Sequence, residues 1–188
     1  MKIVILNGSI VGTNTKVAIE KVQEMFKEKY SEHKTTLIDL ADYDLPFSDG
    51  RNYFEYDGDA KEVTTKIMEA DAIVIGTPVF QASIPGTLKN LFDLLPVAAL
   101  RHKTVSIIVT AGSAKHFLMV EQQLKPILSY MKAQIVPTYV FIEEQDIIGK
   151  EIVNDDVVFR MERLVEDTVN VHDAFLNVQQ AQDMLYDF

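Results

Sequence analysis

The chain of 188 residues is long enough to bury one substantial core and short for two domains. Apolar residues make up 47% and charged residues 24%, an ordinary balance for a soluble globular protein, and the lack of any cysteine excludes disulfides, cysteine-ligated zinc, iron–sulfur clusters and a thiol nucleophile. A formal net charge of −10, with no concentration of Lys and Arg, argues against a nucleic-acid partner. It leaves room for one small phosphate, which backbone N–H groups at a helix N-terminus bind without net positive charge.

In chain order, "KIVIL" (2–6) is a continuous apolar run that suits a strand buried on both faces. Five apolar residues before Asn7 are too few for a signal-peptide core or a membrane span, so a cytoplasmic protein with no membrane partner is expected. The turn "NGSIVGTNT" leads into 15–30, where Val17, Ala18, Val22, Met25 and Phe26 mark one face of an amphipathic helix. A second strand follows at 35–40. Residues 42–59 combine turn residues, five aromatics and no period, which predicts a long loop, either a lid or partner surface or aromatics buried on a neighbouring helix. A helix over 61–70 precedes the third strand, 71–77. The stretch 78–86 is broken by two prolines, and 87–95 is a helix. The fourth strand is 104–112. The helix pattern of 115–133 contains Pro126, which should bend or split it. The fifth strand, 134–142, is interrupted at Pro137. The closing helix is 155–177, and 171–188 forms a C-terminal helical or loose extension.

Five strands alternating with helices, without repeat or linker, predict a single α/β domain over 1–188 with a parallel sheet covered on both faces. In such folds ligands bind beyond the carboxyl ends of the strands. That rule selects loops 7–15, 77–86 and 110–116. The first supplies Ser9, Thr13, Asn14 and Thr15 around Gly8 and Gly12. It is neither G-x-G-x-x-G nor a nucleotide-triphosphate loop ending in Gly-Lys-Ser/Thr. Hydroxyls and amides at a helix start read either as ordinary capping or as a cradle for a phosphate monoester.

The second loop and its helix, "GTPVFQASIPGTLKNLFDLL" (76–95), resemble the motif G-[ST]-P-x-[YF]-x-x-[SG]-x-[PS]-G-x-L-K-N-x-[LF]-D of the NADPH-dependent FMN reductase family. Thr77, Pro78, Phe80, Ser83, Gly86, Leu88, Lys89, Asn90 and Asp93 all fall in place. "TAGSAKHF" (110–117) resembles the family's Gly-rich loop after strand four, and the similarity runs from about residue 2 to 142. The resemblance implies a flavodoxin-like three-layer sandwich with a five-stranded parallel sheet in the order 2-1-3-4-5. It also implies FMN as cofactor, with its phosphate on Ser9, Thr13, Asn14 and Thr15. Its ring would lie along Pro78, Val79, Phe80 and Gln81, approached from the other side by Ala111, Gly112 and Ser113. Hydride would pass from NADPH or NADH to FMN and on to a small-molecule acceptor: a quinone, an azo compound, a metal oxyanion or free flavin. The chemistry belongs to the cofactor, so no catalytic side chain is assigned. An electron-carrier flavodoxin without NAD(P)H turnover is the alternative.

The sequence departs from the family pattern at Val11, where many members carry Arg, leaving Lys16 as the nearby cation. It also departs at Phe80, where many have Tyr, and at Ser113, often Gly. Phe80 is otherwise read as core, and Lys89 with Asp93 as an i,i+4 surface pair. His33 and His102 are read as solvated, and His172 is unassigned. Lys115 and His116 are read as a solvated helix start or as a contact for the donor's phosphates. Glu143, Glu144, Asp155 and Asp156 lack metal-ligand spacing and are read as solvated or capping. The apolar surplus of 88–100, together with the resemblance, predicts a homodimer or homotetramer with Lys89 and Asp93 near the contact.

Overall fold

The buried apolar runs form the middle layer of the protein, whose computed structural model describes residues 1–186. Strands β1 (Lys2–Asn7), β2 (Lys34–Asp39), β3 (Ala72–Pro78), β4 (Thr104–Ala111), β5 (Gln134–Ile135) and β6 (Val140–Glu143) pair in parallel. Their order is β2-β1-β3-β4-β5, with β6 also on β4, so the order that the family resemblance implies is the one observed. Every residue of β3 is buried, as a strand covered on both faces requires.

Two apolar clusters line the two faces. On one, Val63 and Ile67 of α2 (Gly58–Glu69) and Leu88, Leu91 and Phe92 of α3 (Gly86–Leu94) pack on the sheet beside Leu128 of α4 (Lys125–Tyr130). On the other, Ile19, Val22 and Phe26 of α1 (Asn14–Lys29) meet Val157, Met161 and Leu164 of α5 (Asp155–Tyr186). Among the described residues no helix is long and apolar enough to cross a membrane.

Several expectations are refined or corrected. The helix pattern of 115–133, which Pro126 was expected to bend or split, is broken into three pieces: a single turn at Ala114–His116, a π-helical stretch at Val120–Leu124, and α4. Pro126 lacks an N–H and sits in the first turn of the last piece, where none is needed. The fifth strand is interrupted at Pro137, as expected, into β5 and β6, whose register against β4 slips by two residues there. Residues 147–148 and 151–152 form a two-stranded hairpin, β7 and β8, too short to carry a periodic signal. The closing helix runs on past 177 through Tyr186, so the C-terminal extension is helical, the first of the two forms expected for it; its last two residues lie outside the described residues. His33 is partly buried rather than solvated, stacked on Tyr30 at 5.9 Å. His172, unassigned by sequence, is 4% exposed, and burial lowers its pKa. His102 is exposed, as expected, and pairs with Gln179 of α5.

The apolar surplus of 88–100 is largely absorbed within the chain. Leu88, Leu91, Phe92, Leu94, Leu95, Ala99 and Leu100 are all buried, whereas Val97 is 80% exposed. Lys103, which sequence reasoning passed over, is buried; its ammonium donates to the carbonyls of Met68 (2.7 Å) and Ala70 (2.6 Å) at the end of α2. Those carbonyls have no intrahelical partner, so a cation there serves as the helix's cap.

Candidate functional site

The site begins where β1 and β3 end. Gly8 N–H donates to the carbonyl of Gly76 at 2.8 Å, which holds the first and second loops side by side. Gly76 has to be glycine because a Cβ there would lie 2.3 Å from Ile19 Cγ1. Its absence lets α1 pack directly on β3 and sets the helix's N-terminus at the strand ends. Gly12, at φ +79°, supplies the left-handed residue that turns the chain into α1.

From that turn the predicted phosphate residues diverge. Ser9 is 1% exposed, and its hydroxyl donates to the Val11 carbonyl at 2.5 Å while accepting from Val11 N–H. It shapes the turn rather than lining the cleft. Thr15 is also buried, and its hydroxyl shares a 2.7 Å hydrogen bond with that of Thr110 on β4. Thr13 is the N-cap residue of α1, yet its side chain makes no cap hydrogen bond. Thr13 and Asn14 therefore stand at the helix start with their polar groups free for a ligand, beside amides that have no intrahelical partner.

Lys16, the cation expected to help there, is committed elsewhere. It pairs at 2.8 Å with Asp39, which is 5% exposed and also accepts from Asn7 Nδ2 and Ala41 N–H. Burial pushes the Asp39 pKa up, but Lys16 and the two N–H donors outweigh it and hold the carboxyl below its ordinary value. The pair joins α1 to the end of β2 and leaves little cationic charge for the loop.

The second loop is a tight reversal. Phe80 and Ser83 exchange both backbone hydrogen bonds at 2.9 Å, with Gln81 at φ 48° and Ala82 at φ 61° between them. Two non-glycine residues in the left-handed region cost about 1–3 kcal/mol each, a strain that tends to persist at functional sites. The turn holds Phe80 39% exposed, so it is not a core residue. Val79 N–H is anchored to the Thr110 carbonyl at 3.1 Å, which ties this loop to the third.

These ties produce one open cleft of about 360 Å³ lined by Thr13, Asn14 and Thr15 from the first loop, Pro78, Val79 and Phe80 from the second, and Ala111 and Gly112 from the third. Gln81 sits in the reversal just outside it, and Ser113 opens the short turn Ala114–His116 next to it. Glu144, read as solvated or capping, lines the cleft opposite Gly112; a Cβ on Gly112 would meet only that carboxylate, at 3.9 Å. No sequence signal marked Glu144, because it reaches the cleft through the two-residue slip of strand five. Lys115 and His116 are exposed beside it. Lys89 and Asp93 pair at 2.7 Å on the surface, as expected. No group of acids and histidines suited to a metal occurs among the described residues.

A second cleft, of about 530 Å³, adjoins the first and shares Val11 and Phe80 with it. Its outer wall comes from residues 43–47, placed by α3: Asn90 accepts from Ser48 N–H at 3.0 Å and donates to the Pro46 carbonyl at 2.9 Å. The long loop thus mixes the two readings, with Tyr56 buried and Phe47 87% exposed.

Residues 1–146 match the family described as NADPH-dependent FMN reductase. An NAD(P)H-dependent FAD/FMN reductase of Geobacillus thermodenitrificans is 39% identical over 173 residues, covering 92% of this chain and 94% of that one. An NADH:FMN oxidoreductase solved in its apo form superposes with a TM-score of 0.73 and 26% identity over 93% of this chain and 87% of that one. Flavodoxin 1 of Bacillus cereus shares the fold at 16% identity, with a TM-score of 0.63 over 90% of this chain and 98% of its own.

Proposed function

Because this chain belongs to the NADPH-dependent FMN reductase family, we propose that FMN occupies the cleft between loops 9–15, 78–83 and 111–113 and is reduced there by NADPH or NADH on behalf of a small-molecule electron acceptor. The observation that carries this reading is the convergence of eight residues, chosen from three distant loops, on one 360 Å³ cleft. The residues present fit the group. A phosphate monoester needs hydrogen-bond donors at a helix start, and Thr13, Asn14 and the first N–H groups of α1 offer them uncommitted. A planar ring needs an apolar wall with backbone groups at hand, and Val79, Phe80, Ala111 and Gly112 offer both along one side of the open cleft.

When bound, FMN supplies the hydride-accepting and electron-delivering chemistry. The chain's own residues position and shield. Ser9 fixes the turn that aims the amides, and the strained reversal at Gln81 and Ala82 presents Phe80 to the ring. Gly112, with no side chain, would let backbone approach the bound ring, and Ser113 begins the exposed turn carrying Lys115 and His116, which would meet the donor's phosphates. Uptake of FMN by the purified protein, read by flavin absorbance and quenched fluorescence, tests the reading, and absence of uptake overturns it. Oxidation of NADPH with a quinone or free FMN then separates a reductase from an electron-carrier flavodoxin.

The assembly follows from the same reading. Val97 and Tyr130, 80% and 70% exposed, flank a groove that also contains Lys89 and Asp93, and a homodimer or homotetramer would cover it. Light scattering on the eluted protein tests this.

A further inference from the structure

We propose that the second cleft, between Phe47 and Phe80, is the acceptor site of this enzyme and selects neutral planar aromatic acceptors, such as quinones, over metal oxyanions. The inference rests on FMN occupying the neighbouring cleft.

The construction of Phe47 comes first. A phenyl ring 87% exposed has no burial of its own to hold it. It is held instead by the backbone on either side: the Asn90 carboxamide bonds both Pro46 and Ser48, and Ser48 Oγ donates to the Asp93 carbonyl at 2.9 Å. Asp44 N–H, donating to Asp59 at 2.7 Å, pins the loop further back. Four hydrogen bonds therefore present an aromatic ring at the mouth of a cleft whose interior is mostly aliphatic and aromatic. A ligand sliding in would cover that ring and recover the burial it lacks.

The charge of the cleft decides what enters. Among the described residues lining it there is no Lys, Arg or His, and its one ionisable group other than Tyr43 is the carboxylate of Asp44. A dianionic oxyanion would lose its hydration and meet a like charge, with no donor cation to compensate. A flat neutral ring loses little water and gains contact with Phe47, Tyr43 and Leu45. Val11 extends this: where a cation at that position would reach either cleft, the chain places an isopropyl group. Phe80 and Val11 belong to both clefts, so an acceptor seated here is next to the flavin slot.

The test is calorimetric titration of oxidised, FMN-loaded protein with 1,4-naphthoquinone and, separately, with chromate, without NAD(P)H so that nothing turns over. Naphthoquinone is expected to bind and chromate to give no heat of binding. Phe47→Ala is expected to weaken naphthoquinone about tenfold, the scale of one lost aromatic contact, with the FMN dissociation constant unchanged. Phe47→Leu should recover part of the loss. Asn90→Ala, which frees the loop on both sides of the ring, should weaken naphthoquinone to a similar extent. Equal naphthoquinone affinity in wild type and Phe47→Ala, or chromate binding as tight as naphthoquinone, overturns the proposal while leaving the FMN reading intact. Failure of the wild type to take up FMN overturns both.

Discussion

Thr13→Ala separates a ligand-binding turn from a helix cap. In the free protein the Thr13 hydroxyl makes no cap hydrogen bond. Its removal should therefore cost the FMN-free protein less than about 0.5 kcal/mol, against about 1 kcal/mol for a working N-cap. With a phosphate in place the hydroxyl donates to a charged acceptor, a bond worth about 1.5–3 kcal/mol. The FMN dissociation constant should then rise roughly 10- to 150-fold, while riboflavin, which has no phosphate, should lose little. Thr15→Val behaves oppositely. The Thr15 hydroxyl is paired with that of Thr110 inside the protein, so its loss leaves a buried hydroxyl unpartnered and costs about 1–3 kcal/mol of stability. At this chain length that is a fall of several degrees in melting temperature, at about 2–4 °C per kcal/mol. FMN and riboflavin titrations by fluorescence quenching, with thermal melts of the flavin-free proteins, read all four quantities. If Thr13→Ala lowered the melting temperature like a lost cap and weakened FMN and riboflavin equally, the assignment of this turn to a phosphate would be refuted.

Gly76→Ala should destabilise by about 1–3 kcal/mol or more, because the new methyl would overlap Ile19; in denaturant melts, adding Ile19→Ala should cost less than it does in the wild type. Lys103→Met leaves the carbonyls of Met68 and Ala70 without their donor, and urea unfolding should show a loss of about 1–3 kcal/mol. Burial lowers the pKa of His172, set against the facing carboxylates of Asp71 and Asp173, with the amino terminus and His33 also acting to lower it. The unfolded chain then binds a proton that the folded chain refuses, so stability falls as pH drops below 6.5, the ordinary histidine value. Melts at a series of pH values should show that slope, and His172→Gln should flatten it. Asp39 acts lower on the scale: its carboxyl titrates below the ordinary aspartate value when folded, so its contribution is present above that value and lost as pH falls through the folded pKa. Asp39→Asn should remove that acid-side slope.

Much of the architecture was legible in the chain because its signals are local. Continuous apolar runs such as 2–6 and 71–77 mark strands covered on both faces, and the period of 15–30 marks a helix with one buried side. Alternation of the two leaves a parallel sheet as the simplest arrangement, and the motif of 76–95 pointed to a flavin site. Eight of the eleven residues singled out line the first cleft, since loops at strand carboxyl ends are brought together by the sheet itself.

What the chain alone did not determine depends on partners distant in sequence. Ser9, Thr13 and Thr15 are the same kind of residue within one short turn. The first closes a local turn on Val11, two residues on, but only the tertiary structure commits the third to Thr110, and the second is left without a cap bond. Lys16 was an available cation until β2 brought Asp39 within 2.8 Å. The leucines of 88–100 looked surplus because a single helix stripe cannot bury them all, yet the sheet and neighbouring helices cover all but one part of the segment. Glu144 and Phe47 carry no periodic or motif signal; a register slip places one at the cleft and a single asparagine clamps the other beside it. Residue type and local pattern therefore determined the layers and the loops that matter. Which polar groups remain free to meet a ligand was decided by the long-range hydrogen bonds and packing that commit the others.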